Sequence, residues 1–460
     1  MASHTAQLGT APIGKLFVSL SMPVILSLLV GGLYNLVDTL FIARGVDALA
    51  VGGVAIVFPI QMIIIAIGGT IGNGLASVVT RHIGAGDMDR AQAVTGNAVL
   101  LSLLVGVVVM TIVLLTMQPL LRGLGVTEQL WPYAQDYLVV SIWGTPVVLL
   151  LSCLNNLARA EGKMHYLTYS ILLSSLLNIV LDPIAIYLLH WGVMGVAWAT
   201  VIAQLVTTLF MLWLFLSNRT QLKISLATLR LNSVITGQIV ALGMPTFFSN
   251  IGVSVIIGLV NALLGHSGLA EADHLISAYG IVSRIFMFLF FPLLGMMISY
   301  QTICGFNYGA AHYGRVREAS TLSVRVATLY CAGTALLMLL FPDIIIRLFS
   351  DDNALLREAV PITRFVFSGF LVTGAPFIWA AYFQAIGRAK PALFLSSFRI
   401  YLVQVPLLLM APAIFGVEAI WYSYPITSCV SLVVSWLFIR HAYRDLDAAQ
   451  AKASLQVQVA

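Results

Sequence analysis

The chain has 460 residues, of which 60% are hydrophobic and 9% charged, with a formal net charge of +5. Soluble domains carry about 25% charged residues, so this composition excludes a soluble enzyme and specifies a chain built for a lipid bilayer. The basic excess lies mainly in short breaks between apolar runs, where it orients spans and does not read as a nucleic-acid surface.

Residues 1–14 lack the basic patch, short apolar core and small-residue cleavage site of a signal peptide. The first apolar run is therefore expected to stay in place as an anchor. Runs of about 20 apolar residues suit a membrane helix. Twelve are predicted in chain order, near 13–43, 49–80, 91–118, 131–159, 164–190, 192–217, 234–265, 271–305, 316–348, 357–387, 391–412 and 416–440. The sequence thus predicts an all-α integral membrane fold. Residues 1–217 form an N-lobe of six spans, 218–233 a cytoplasmic linker, 234–443 a C-lobe of six spans and 444–460 a tail.

Lys and Arg sort by side. One set of breaks holds Lys15, Arg81, Arg90, Arg159, Lys163 and most of the others, whereas the opposite set holds only Arg44, Arg122, Arg347 and Arg357. The positive-inside rule puts both termini in the cytoplasm.

The halves repeat. Met22-Pro23 answers Met244-Pro245, and the loop from Gly84 answers the loop from Gly309. Ala160-Glu161-Gly162-Lys163 answers Ala385-Ile386-Gly387-Arg388, and Gly192-Val193 answers Gly416-Val417. Six spans per copy keep both copies in the same sense, so the lobes are expected to be related by a pseudo-two-fold axis along the membrane normal.

Asp38 is the most informative residue, because no other charge lies between Lys15 and Arg44. An acid at mid-membrane costs about 2.5–3.5 kcal/mol on insertion scales. A second, Asp182, stands alone in span 5 beside Pro183 and one turn after Asn178. Pro183 removes a backbone donor and is expected to kink the helix. Counting at 1.5 Å per residue puts Asp38, Asp182 and Thr200 of span 6 at a common depth, about 9–12 Å below the outer boundary. Tyr34 and Asn35 lie nearly on the Asp38 face and are candidates to orient its carboxyl. Val405 and Asn261 occupy the matching C-lobe positions, so the coupling chemistry is expected in the N-lobe. Carboxylate, amide and hydroxyl oxygens suit H⁺ or Na⁺ equally.

Arg284, Arg325, Arg364 and Arg399 also fall inside spans, either facing a cleft or snorkelling. No phosphate-cradling loop and no nucleophile–base spacing is present. The glycines near Gly72-x-Gly74 read as helix-packing positions. The four cysteines read as small core residues.

These features resemble the MATE (multidrug and toxic compound extrusion) family, and its DinF-like branch most closely, over essentially the whole chain. The resemblance rests on the two six-span lobes, Pro23 and Asp38 in span 1, the Gly-Ala-Gly-Asp loop, and Asn178-x-x-x-Asp182 with Thr200. It implies a cation or proton site, including a candidate Na⁺ site, on Asp38, Asn178, Asp182 and Thr200, and bending of span 1 near Pro23. The acids that the NorM-like branch carries in its C-lobe are missing. The resemblance further implies a monomeric secondary antiporter, not an enzyme, in the bacterial inner membrane. Such a protein exports amphipathic, often cationic drugs in exchange for H⁺ or Na⁺ and needs no cofactor. The competing reading is a flippase of lipids or lipid-linked sugars.

Overall fold

A computed structural model describes residues 4–46, 48–217, 219–225, 227–265, 272–347 and 353–459. Among them the backbone is helical and no strand occurs. Ten helices are long and apolar enough to cross a membrane, and twelve spans result when two bent pairs each count as one.

In the N-terminal half, span 1 is Ile13–Gly45, span 2 Ala48–Gly84 and span 3 Met88–Leu115. Span 4 is Trp131–Trp143 with Thr145–Ala160, span 5 Met164–Pro183 with Ile184–Leu188, and span 6 Gly192–Leu216. In the other half, span 7 is Ser233–Gly265, span 8 Ala272–Gly309 and span 9 Tyr313–Leu340. Span 10 is Asn353–Phe370 with Gly374–Ala385. Span 11 runs through Ala389–Ser397, Phe398–Gln404 and Val405–Phe415, and span 12 is Ala419–Val459.

Spans 4 and 10 are bent by 50° and 48°. The break in span 4 falls at Gly144, where a Cβ would lie 2.7 Å from Val201. Thr145-Pro146 follows, and Pro146 lacks the donor that would continue the ladder. The break in span 10 precedes Gly374, where a Cβ would meet the Ala327 backbone at 2.6 Å. Span 12 continues as helix past its expected end at 440. Its extension is held by Arg388, which donates to Asp445 at 3.1 and 3.2 Å, and by Arg317 stacked over Tyr443.

The repeat is visible in the backbone. Gly86 and Ala311 both have positive φ, of 75° and 58°. Each is followed by an amide that closes back on the preceding helix: Asp87 on His82 O at 2.9 Å, and His312 on Asn307 O at 2.8 Å. Gly162 and Gly387 repeat this closure through Lys163 and Arg388. A left-handed residue costs a non-glycine energy, and Ala311 adopts it because the same turn must be made.

Two compact units emerge: Met1–Leu8 with Met22–Phe247, and Gly9–Ser21 with Phe248–Ala460. These limits differ from a division at the 218–233 break. The chain changes unit inside span 1, just before Pro23, and inside span 7, just after Pro245.

In the N-terminal unit, spans 2 and 7 cross closely. A Cβ on Gly74 would lie 1.9 Å from Ile239 O, and one on Gly243 1.8 Å from Thr70 O. The linker is fastened to the same unit. The carboxylate of Glu161, fully buried, accepts from the amides of Leu222 at 2.9 Å and Gln221 at 3.2 Å and pairs with Lys163. Lys163 also donates to Arg219 O at 2.8 Å. Asn97 donates to Arg230 O and Asn232 O and accepts from Thr236. Cys153, Cys304 and Cys331 are buried as expected of core residues, whereas Cys429 is exposed.

Candidate cation-coupling site

Span 1 carries Asp38 two turns before its C-terminal end, and span 5 carries Asp182 against Pro183. The helix does not stop at that proline. It passes into a π turn, Ile184–Leu188, in which the Leu189 amide reaches Ile184 O at 3.0 Å. A π turn absorbs a register change and is frequent at functional sites. Span 11 carries its own π segment, Phe398–Gln404, immediately before Val405-Pro406.

The four residues of the predicted set come together in one unit. Asp182 is fully buried and Asn178 is 2% exposed, while Asp38 and Thr200 are half-buried. Asn178 Nδ2 donates to Thr200 Oγ1 at 2.9 Å, and Thr200 Oγ1 donates to Val196 O at 3.1 Å. The Tyr34 hydroxyl hydrogen-bonds Thr200, so Tyr34 supports the layer through that residue. The carboxyls of Asp38 and Asp182 are close enough to interact electrostatically. The side chain of Asn35 lies outside the described residues.

Among the described residues, no donor reaches Asp38 Oδ1, either oxygen of Asp182, or Asn178 Oδ1. Four oxygen acceptors therefore stand buried and unanswered in one place. Buried acceptors of this kind are costly, and two carboxylates in a low dielectric repel. One H⁺ or one Na⁺ relieves both costs, and the all-oxygen donor set suits a hard cation. No cluster of three or more His, Cys, Asp or Glu able to hold a metal occurs among the described residues.

The structure adds residues that the sequence reading missed. Tyr137 of span 4 is 5% exposed and lies within electrostatic reach of Asp38 and Asp182. Gln61 of span 2 donates to its hydroxyl at 3.3 Å, and Ser141 hydrogen-bonds it as well. Depth counting would have found Tyr137, which stands six residues inside span 4, about 9 Å deep. The layer adjoins an apolar cluster that includes Ile42, Val57, Leu138, Ile186 and Val193, with Tyr137 among its members.

Pro23 lies well below this layer, inside a helix unbroken from Ile13 to Gly45. Ser27 Oγ donates to Pro23 O at 2.7 Å, and Ser19 Oγ to Leu16 O at 2.9 Å. Hydroxyls thus supplement a ladder that lacks the proline donor.

Comparison with known proteins agrees with this architecture. The chain is 23% identical over 432 residues to the multidrug export protein MepA of Staphylococcus aureus, covering 93% of this chain and 94% of that one. It is similar to a solved outward-facing multidrug resistance MATE transporter of the MOP superfamily, with TM-score 0.89, 27% identity and coverage of 96% and 98%. It is equally similar to a MATE protein solved in a bent conformation, with TM-score 0.90, 27% identity and coverage of 97% and 99%. The MatE family signature matches twice, over residues 23–184 and 245–410, starting at Pro23 and at Pro245. The chain belongs to the MatE family.

Proposed function

We propose that this chain is a secondary-active multidrug exporter that moves amphipathic, often cationic organic compounds outward in exchange for H⁺ or Na⁺. The observation that carries the reading is the Asp38–Asp182 pair, whose buried oxygens lack donors. MepA is described as a multidrug export protein, which supports the substrate class.

In this reading H⁺ or Na⁺ enters from the outside and settles on Asp38, Asp182, Asn178 and Thr200. Neutralising the pair removes the repulsion and rearranges the contact between spans 1 and 5. Span 1 then bends near Pro23, where one backbone hydrogen bond is missing in every conformation. Similar MATE structures have been solved in a straight and in a bent conformation, which supports a cycle with two states. Coupling requires the two states to differ in cation affinity, since equal affinity shifts nothing. A single chain in a bacterial inner membrane, with both termini cytoplasmic, suffices for this cycle.

The test is drug transport in proteoliposomes with ΔpH and ΔNa⁺ imposed separately, comparing the native chain with Asp38→Asn. One gradient drives ethidium transport by the native chain, and the variant transports none. Ethidium transport by Asp38→Asn at the native rate overturns the reading.

A further inference from the structure

Two tryptophans recur at one spacing, and each carries an arginine. Trp213 of span 6 and Trp436 of span 12 stand 223 residues apart, the spacing that also separates Pro183 from Pro406. Both rings are open, at 48% and 45% exposure. Each ends a stripe of exposed apolar residues on one helix face. Ile202, Leu205 and Leu209 lead to Trp213, and Ile426 and Val433 lead to Trp436. A span face of that composition meets lipid, and a tryptophan near its end sits at headgroup level.

The arginines lie on these rings. The Arg219 guanidinium stands over Trp213, 4.6 Å from the ring centroid, and that of Arg440 over Trp436 at 5.3 Å. Both arginines are exposed. A guanidinium held by its flat face keeps its N–H donors in its own plane, directed past the ring. Among the described residues neither arginine pairs with an acid. Both belong to the side of the chain rich in Lys and Arg, which the sequence predicts to be cytoplasmic.

Neighbouring groups fix each pair. The Arg219 carbonyl accepts from Lys163 at 2.8 Å, and the buried Glu161 holds Lys163 in turn. No Asp or Glu occurs in residues 183–270, which hold Arg219, Lys223 and Arg230. Arg440 follows Trp436 by one helical turn, and the exposed Arg444 follows by another on the same face. Of the acids beyond, Asp445 is engaged by Arg388, and Asp447 lies two turns past Arg440. Tryptophan at the other end of span 6 has no such company. Trp191 and Trp198 are exposed there, and no Lys or Arg occurs in residues 164–218.

We propose that Trp213 with Arg219, and Trp436 with Arg440, form two seats for the phosphate of an anionic phospholipid in the leaflet on that side. The guanidinium donates to the phosphate oxygens. The indole lies along the glycerol and the first methylenes, and Lys223 and Arg444 add positive charge. A stacked arginine loses less freedom on binding than one that is free to move. Trp213 lies 13 residues beyond Thr200, about 20 Å along span 6, so the inference does not rest on the export reading.

The test uses the full chain in phosphatidylcholine nanodiscs containing brominated phosphatidylglycerol or brominated phosphatidylcholine at equal mole fraction. Bromine quenches nearby tryptophan fluorescence. The signal of the two rings is taken by difference from a Trp213→Phe, Trp436→Phe chain. The rings are expected to associate with the phosphatidylglycerol about fivefold more strongly than with the phosphatidylcholine. The tryptophans left in the double Phe chain show no such preference. In chains that keep one of the two rings, Arg219→Gln abolishes the preference at Trp213 and Arg440→Gln abolishes it at Trp436. Arg230→Gln and Lys390→Gln, which remove exposed basic residues of the same side, leave it intact. Millimolar inorganic phosphate at matched ionic strength does not relieve the quenching. Equal association of the two lipids at the native rings overturns the proposal. So does a loss of preference in Arg230→Gln or Lys390→Gln as large as in the Arg219 and Arg440 variants, which would show diffuse attraction. Relief of quenching by inorganic phosphate would overturn the assignment to lipid.

Discussion

The Asn178 amide donates to the Thr200 hydroxyl at 2.9 Å and ties span 5 to span 6 at the level of the two acids. The bond uses the nitrogen of Asn178 and leaves its oxygen buried without a donor. Asn178 thereby becomes an acceptor in a layer that already holds two carboxyls, and Thr200 becomes the residue that fixes its orientation.

Replacing Thr200 with Val removes that orienting acceptor at nearly constant volume. Ethidium transport in proteoliposomes is expected to fall about tenfold at native expression, since misplacing one donor or acceptor costs on the order of 1 kcal/mol or more. Asn178→Ala is expected to cost more, because it also deletes the free oxygen. A Thr200→Val protein with native transport would show that Asn178 needs no orienting partner.

Asp182→Asn removes one of the two carboxylates while keeping shape. The pair then has no mutual repulsion to relieve, and coupling is expected to be lost while drug binding to the purified protein persists. Counterflow exchange of ethidium, which needs no gradient, distinguishes lost coupling from lost binding.

Tyr137→Phe deletes a hydroxyl held by Gln61 and Ser141 and close to both acids. The ring stays packed, so folding is preserved. Transport is expected to drop a few-fold, with a weaker dependence on the driving gradient. A variant indistinguishable from native would assign Tyr137 to packing alone.

Glu161→Ala strands Lys163 and two linker amides in a buried site. Breaking one partner of a buried pair costs about 3–5 kcal/mol, so the melting temperature in detergent falls sharply and limited proteolysis opens the linker near residue 222. Glu161→Gln keeps an acceptor for the amides and is expected to fall between native and Ala. The result is read without any transport assay.

Gly243→Val places a side chain where the Thr70 backbone already stands. Backbone cannot yield as a flexible side-chain tip would. The expected outcome is loss of folded protein on size-exclusion chromatography, against mild effects for the same change at Gly237, whose Cβ would meet nothing within 4 Å.

Much of the N-terminal site was legible because its residues break a simple pattern. Asp38 and Asp182 are lone acids in apolar runs, and helix rise put them in one layer with Thr200. Tyr137 escaped notice because a tyrosine in an apolar helix carries no alarm, and only its neighbours give it a role. In the sequence Glu161 and Lys163 stood out only as part of the internal repeat. Their burial depends on a linker folding back over them, which no local spacing announces.

The sequence by itself determined the membrane class, the run of spans, the two-fold repeat and the isolated acids. Each follows from transfer energies and periodicity that act residue by residue. Only the tertiary structure decided the bends at Gly144 and before Gly374, the π turn after Pro183 and the exchange of chain between units beside Pro23 and Pro245. These depend on what packs against each backbone segment, and packing is a property of distant residues brought together.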